Sequence, residues 1–594
     1  MLALLLALAW FEVPKEIERQ TAAGKPYAQA FREVVGSLDD VAAAYAVRAI
    51  RDQPALVAED DARRYVIEKD VQIGPLCGLV VRPRKAPARL ATLLELTIYA
   101  DWDTLLAFSA RMAASHGYAA VVALVRGKGC GEGQPVPYAT NPDDAVAAID
   151  WIARQPWSDG RVGMFGGSYS GGAAWAAAKR MPKALKTIAV GAPVGPGIDV
   201  PMENGIFWNF VYPWPFFTTD GKWLDNAIYN DRERWQRLDR EYYLSGRRYR
   251  DLPAIDGKPN PVFESWIAHP EYDSFWQAMI PWREEFARID IPILQTAGYY
   301  SGGPGAATYY FEQHYRYRPA ARHYLVVGPW DHGEAQHGTL RLNGRHEEEI
   351  DGYPLDPAAR IDLEELRYQW FDHVFKGKPR PALIADRVNY EVTGANRWKH
   401  APSLKAMARS SLRLKLGRAR EIAVDYRERG DVDRAVPGGK YLDKAIETRN
   451  GVLFETAPFE VATEISGLLA GHLDFQTNKQ SLDCQIDLYA LSRSGQYFAL
   501  APWWGRVRGS SVDFRGMRLM SHLLQPGDRV VAVLRVLKEL GRQINYGSAR
   551  EVSDQSLAED AGEPLRVRWL ASSYLDLPIA LPAPANPTSR HERH

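Results

Sequence analysis

A chain of 594 residues exceeds what one hydrophobic core organises, so two or three domains are expected. With 46% hydrophobic and 25% charged residues it is globular, and 73 basic against 73 acidic side chains leave no net field to draw nucleic acid or an anionic membrane. Three cysteines, Cys77, Cys130 and Cys484, are too few and too scattered for a disulfide framework or a zinc site and read as core thiols.

After Met1, residues 2–9 are all Leu or Ala, like the apolar part of an export signal, with Ala7-Leu8-Ala9 as a small-residue cleavage site. The run lacks a basic lead and is too short to span a bilayer, and the competing reading is the first turn of a helix. A secreted or periplasmic protein is the expectation, a cytoplasmic one the alternative. No later stretch is long and apolar enough to be transmembrane. A helical lead-in completes residues 1–60.

An α/β region opens at about residue 61. Residues 65–82 carry apolar positions broken by Gly74-Pro75 and Gly78, the pattern of a hairpin. A central strand over 90–99, a helix over 105–116 and a buried strand over 117–125 imply a right-handed parallel crossover. The loop Arg126-Gly127-Lys128-Gly129-Cys130-Gly131-Glu132-Gly133 has no Ser or Thr after its lysine and is read as a solvent-facing connection. Asn141-Pro142-Asp143-Asp144 begins a helix with Val146, Ile149 and Ile152 on its apolar stripe.

Residues 161–172 then run from an apolar strand into Gly166-Gly167-Ser168-Tyr169-Ser170-Gly171-Gly172 and out into an Ala-rich helix. A strand, a sharp turn of small residues and a helix that presents one Ser at its N-terminus describe a nucleophile elbow. The second Gly of the usual G-x-S-x-G is Ser170 here, and an ordinary tight connection or a phosphate cradle competes, although a Walker-type Lys is missing. A further strand over 187–190 extends the β-α-β-α rhythm of a doubly wound parallel sheet, so the first α/β part is set at 61–196.

The rhythm stops over 197–288, an insert dense in aromatics that is read as a helical cap. Most of its rings belong to a core, and Phe207, Trp208 and Trp214 are the candidates for an acyl pocket. Strands over 291–298 and 323–328 and a helix with Leu363, Leu366, Trp370 and Val374 that stops at Gly377 restore the rhythm, giving a second α/β part at 289–381. From 382 to 580 short alternating strands, 388–392 among them, indicate an all-β sandwich or jelly roll, followed by a tail over 581–594.

A Ser nucleophile needs a base on the loop after a late strand. His332, in Gly328-Pro329-Trp330-Asp331-His332-Gly333, follows directly from a buried strand and a Gly-Pro turn, unlike His314, His373 and His400. His332 and His337 have no helical ligand spacing and no third donor nearby, so no metal is expected.

The elbow, Tyr99 at the end of an early strand, Gly-Pro-Trp-Asp-His at the late loop and the helix with Arg367-Tyr368-Gln369-Trp370 before a β region together resemble one family. It is the α/β-hydrolases of the X-Pro dipeptidyl-peptidase, cocaine esterase and α-amino acid ester hydrolase group, which includes glutaryl-cephalosporanate acylase-like members. The resemblance implies a cofactor-independent serine hydrolase in which Ser168 attacks an ester or amide carbonyl, His332 moves its proton, and the oxyanion lies between the Tyr169 N–H and the Tyr99 hydroxyl.

One position departs from the family. Its triad Asp lies in a Gly-aromatic-x-Asp turn, and here that turn reads Gly298-Tyr299-Tyr300-Ser301, with Ser301 in the acid slot. Asp199 is an alternative acid, and Asp331 belongs to the Pro-Trp-Asp-His motif itself. Three functions follow: an esterase or acylase for a small-molecule substrate with an apolar or aromatic acyl group, a degenerate hydrolase that binds a small molecule or glycan, and an X-Pro dipeptidase. A homo-oligomer is compatible with each.

Overall fold

The computed structural model describes residues 13–50, 53–102, 105–301, 304–341, 345–433 and 440–580. The signal-like start at 1–9 and the tail at 581–594 lie outside these residues. Helical residues 13–22 and the helices Tyr27–Gly36, Asp40–Ala49 and Pro54–Arg64 lead into a ten-stranded sheet. Its strands in chain order are β1 Tyr65–Ile73, β2 Leu76–Pro83, β3 Leu90–Thr97, β4 Ala119–Leu124, β5 Ser158–Gly167, β6 Leu185–Gly191, β7 Ile293–Gly298, β8 His323–Gly328, β9 Val388–Val392 and β10 Arg397–Ala401.

The spatial order is β1-β2-β4-β3-β5-β6-β7-β8-β9-β10. From β4 to β9 every neighbouring pair is parallel, and antiparallel pairs close both edges. A parallel sheet carries helices on both faces, which is why β4 is buried along its whole length. Alternate residues of one strand serve different cores: Leu94 and Leu96 pack on one face, while Leu93 packs on the other. The order reverses at β3, so the crevice at the carboxyl ends of β3 and β5 is where a doubly wound sheet places its ligand.

Between β6 and β7 the insert forms short helices, among them Pro213–Thr219, Arg232–Ser245 and Pro261–Ile267. Beyond β10, strands from Ser410–Lys415 to Tyr574–Ile579 make a six-stranded and a five-stranded antiparallel sheet packed on a shared core that includes Leu473, Ile486, Leu534 and Trp569. The β texture after residue 382 therefore divides. Val388–Val392 and Arg397–Ala401 complete the central sheet, because β9 pairs in parallel with β8, and the sandwich begins only at Ser410.

Two expectations are corrected near the β1–β2 hairpin. Cys77 and Cys130 are not free thiols but a disulfide across 53 residues, and Cys484 alone is free and buried. The Gly-rich loop is not solvent-facing at its lysine: Lys128 is fully buried, and its ammonium donates to the carbonyls of Gly221 and Trp223 in the insert. A buried ammonium needs such acceptors, and burial draws it down to about 8. Among the described residues no helix is long and apolar enough to cross a membrane.

Candidate active site

β5 ends at Gly167 and the next helix, Ser168–Arg180, starts at once. Ser168 is held at φ 52°, a left-handed conformation that a non-glycine residue adopts at a cost of about 1–3 kcal/mol. The turn is possible because Gly166 sits at φ 151° where a Cβ would lie 2.3 Å from the Ser170 Cβ. Ser170, which replaces the usual second glycine, is 2% exposed and bonds the Glu95 carboxyl, so its hydroxyl is accommodated by a partner beneath the elbow. Because the helix begins at Ser168, the Tyr169 N–H belongs to its first turn and has no acceptor within the helix.

Tyr99 follows β3 and brings its hydroxyl to Ser168. Burial pushes this phenol up to about 12, so it is a neutral donor at any working pH. Its oxygen accepts from the Trp214 indole at 3.2 Å. The Tyr169 ring, 6.0 Å from that of Tyr99, is anchored by its own hydroxyl to Asn141 Oδ1 at 2.8 Å.

His332 lies on the loop after β8. Its Nδ1 is 3.0 Å from Ser301 Oγ, which follows β7, and burial holds the ring below the ordinary imidazole range. The adjacent one-turn helix Glu334–His337 packs back on the elbow: Gln336 donates to the His332 carbonyl at 2.7 Å, and its amide fills the space a Cβ on Gly167 would occupy. Beside the ring, Asp331 accepts from the N–H groups of Gly333 and Glu334 at 2.7 and 3.0 Å. Burial and Asp331 together push Glu334 up to about 7, against the pull of Arg341.

Other candidate residues lie elsewhere. Asp199 is not on His332: its oxygens accept from the backbone N–H of Gly195 at 2.9 Å and of Ala306 at 2.7 Å, and burial raises it to about 7. As an alternative triad acid it is therefore set aside, since the His332 Nδ1 already faces Ser301. Phe207 is fully buried against Tyr249, and Trp208 packs on Trp504 at 5.5 Å with Arg542 over its face. Phe207 belongs to the core of the insert and Trp208 to the seam between the insert and the sandwich. Trp214 does reach the site.

Three site residues escaped sequence reasoning. Phe217 is one turn after Trp214 and lies 6.1 Å from Tyr99, a neighbour that i, i+3 spacing on one helix predicts. Tyr138 stacks on Trp214 at 5.9 Å, and Gln336 buttresses the elbow. Neither carries a sequence signal beyond its residue type. His337 pairs with Glu364 at 2.8 Å instead of joining His332. Among the described residues, Asp70, Cys77 and Cys130 are the one group of three close metal-ligand types, and its two sulfurs are bonded to each other.

With this geometry in view, comparison with known proteins gives consistent results. Cocaine esterase from Rhodococcus sp. is 29% identical over 301 residues, covering 48% of this chain and 49% of its own, so the chain spans about half the length of the curated relative it matches. Among solved structures, an aminopeptidase from a marine sediment Thaumarchaeota archaeon superposes with a TM-score of 0.67 at 16% identity, covering 87% of this chain and 97% of its own. An α-amino acid ester hydrolase superposes with a TM-score of 0.65 at 20% identity, covering 87% and 97%. At these identities the structures establish the shared fold, an α/β-hydrolase sheet followed by an antiparallel β region. Residues 76–334 match the family model of X-Pro dipeptidyl-peptidase (S15 family), the group that the elbow, Tyr99 and the late His loop resemble.

Proposed function

We propose that the protein is a serine hydrolase that cleaves an ester or amide through an acyl-enzyme on Ser168. The observation that carries this reading is the strained Ser168 under the Tyr99 hydroxyl, on an elbow packed against the loop of His332. With its proton on Nδ1, His332 donates to Ser301 Oγ, 3.0 Å away, and Nε2 is left as the base. Ser168 Oγ attacks the carbonyl carbon while Nε2 takes its proton, and the carbonyl oxygen gathers charge between the Tyr169 N–H and the Tyr99 O–H. The imidazolium then protonates the leaving alcohol or amine. Water attacks the acyl-enzyme with His332 again as base, which returns Ser168.

Ser301 orients the ring but brings no charge to the imidazolium, and loss of the carboxylate in such a triad costs about 10⁴-fold. A slow enzyme is the expectation. Trp214 and Phe217 beside Tyr99 favour an apolar or aromatic acyl group. The Cys77–Cys130 disulfide supports a location outside the cytoplasm, where such bonds persist.

The test is fluorophosphonate labelling with peptide mapping, beside turnover of p-nitrophenyl acetate. Adduct on Ser168 and turnover that Ser168→Ala abolishes are expected. Folded protein that neither labels nor turns over refutes the hydrolase and leaves a binding role.

A further inference from the structure

Tyr99 has one proton to donate, and the geometry around its oxygen decides where that proton goes. The Trp214 indole Nε1–H, a group that only donates, points at the Tyr99 oxygen at 3.2 Å. Trp214 thus occupies an acceptor position of the phenol and cannot take its proton, which stays available to another acceptor. The indole is itself fixed. It is 7% exposed and stacks on Tyr138 at 5.9 Å, Tyr169 at 5.9 Å and Trp266 at 6.1 Å. Tyr169 is the residue whose N–H forms the other half of the oxyanion site, and its ring is tied to Asn141. One side chain of the insert therefore touches both donors.

We propose that Trp214 is a positioning residue of the oxyanion site, which sets the Tyr99 hydroxyl as a donor through its indole N–H and does more than line the acyl pocket. The inference rests on the hydrolase reading. A pocket wall acts on substrate through its ring surface, so a ring that lacks the N–H replaces it with little loss. A positioning donor acts only through Tyr99, so its effect vanishes when the Tyr99 hydroxyl is absent.

The experiment is a double-mutant cycle, with kcat and KM for p-nitrophenyl acetate measured in the wild type, Trp214→Phe, Tyr99→Phe and the double variant. Removal of an oxyanion donor lowers kcat by about 10²–10³-fold, and loss of the group that aims it is expected to lower kcat about ten-fold with KM within about two-fold. In the Tyr99→Phe background Trp214→Phe should change kcat by less than about two-fold. A loss of equal size in both backgrounds, or one that falls on KM, overturns the proposal.

Where Trp214→Phe does not fold, β-(3-benzothienyl)alanine at position 214 keeps the bicyclic ring, exchanges N–H for sulfur and is read in the same cycle. If the wild type neither labels at Ser168 nor turns over, the hydrolase reading fails on its own. The hydrogen bond is then read without catalysis from the titration of 3-fluorotyrosine placed at position 99. Loss of the indole donor should move that titration to higher pH, and an unmoved titration overturns the proposal.

Discussion

Ser301→Asp is the substitution that tests the site most directly. Ser301 Oγ is 3.0 Å from His332 Nδ1, so an aspartate carboxylate reaches the same nitrogen. An opposite charge at that range raises a pKa by about 1–3 units, and each unit is about 1.4 kcal/mol of preference for the imidazolium that forms in the transition state. The corresponding gain in kcat is about ten- to a thousand-fold. Ser301 is only 3% exposed, and burial, with a smaller push from Glu203, lifts the buried Asp199 to about 7 even with two N–H donors, so desolvation takes part of that gain. About ten- to a hundred-fold is the expected rise.

The pH profile gives an independent reading. Burial holds the wild-type His332 below the usual imidazole range, so the acid limb of kcat/KM lies below about pH 6.5 and should move up in Ser301→Asp. Turnover of p-nitrophenyl acetate across pH measures both effects. An unchanged kcat with an unmoved acid limb, in a variant that melts like the wild type, refutes the assignment of Ser301 to the acid position.

The disulfide closes 53 residues, for which the chain-entropy relation gives about 4 kcal/mol. Cys77→Ser/Cys130→Ser should lower the melting temperature by several degrees, and an unchanged melt contradicts this. His314 and His323 form a buried pair at 3.4 Å, and burial lowers His314 to about 4 and His323 well below its ordinary value. Between about pH 6.5 and pH 4 the unfolded chain binds protons the folded one refuses, so stability is complete above that window and falls as pH drops through it. Urea midpoints against pH should show a shallower slope for His323→Gln, and an equal slope sinks the assignment. Glu391 is fully buried and is raised to about 9 by burial and by Asp356, so it is neutral in the fold and ionised in the unfolded chain between these limits. Its contribution weakens as pH rises from about 4.5 to 9, and Glu391→Gln should raise the melting temperature most at pH 8. A variant that melts lower at that pH counts against it.

What was legible in the residues follows from how local each signal is. The elbow is local: a run of small residues between an apolar strand and a helix is demanded by Ser168 at φ 52° and by the helix passing Gly166 within contact distance. The central strands are legible as continuous apolar runs because both faces are covered. The stop of the helix Leu363–Lys376 at Gly377, left-handed at φ 69°, is equally local. By contrast β9 and β10 alternate like sandwich strands, and only their partner, β8, assigns them to the central sheet. Aromatic density in the insert does not reveal which ring faces Ser168. Phe207, Trp208 and Trp214 are alike in sequence, and the tertiary fold sends the first to the insert's own core, the second to the sandwich and the third to Tyr99.

The two corrections at the Gly-rich loop bear on the same chemistry. That loop is cross-linked to β2 through Cys130, passes the Lys128 ammonium to the carbonyls of Gly221 and Trp223, and receives Lys222 at the Gly131 carbonyl. Residues 221–223 lie just after the helix Pro213–Thr219, whose Trp214 bonds Tyr99. A continuous run of covalent and hydrogen-bonded contacts therefore leads from the antiparallel edge of the sheet to the Tyr99 hydroxyl. A triad without a carboxylate lacks one means of stabilising charge in the transition state, and preorganised donors then supply a larger share of what remains. On the reading proposed above, the Tyr99 donor is held by the insert, and the insert is tied to a loop whose glycines and lysine resemble an anion site but whose lysine meets the protein's own carbonyls.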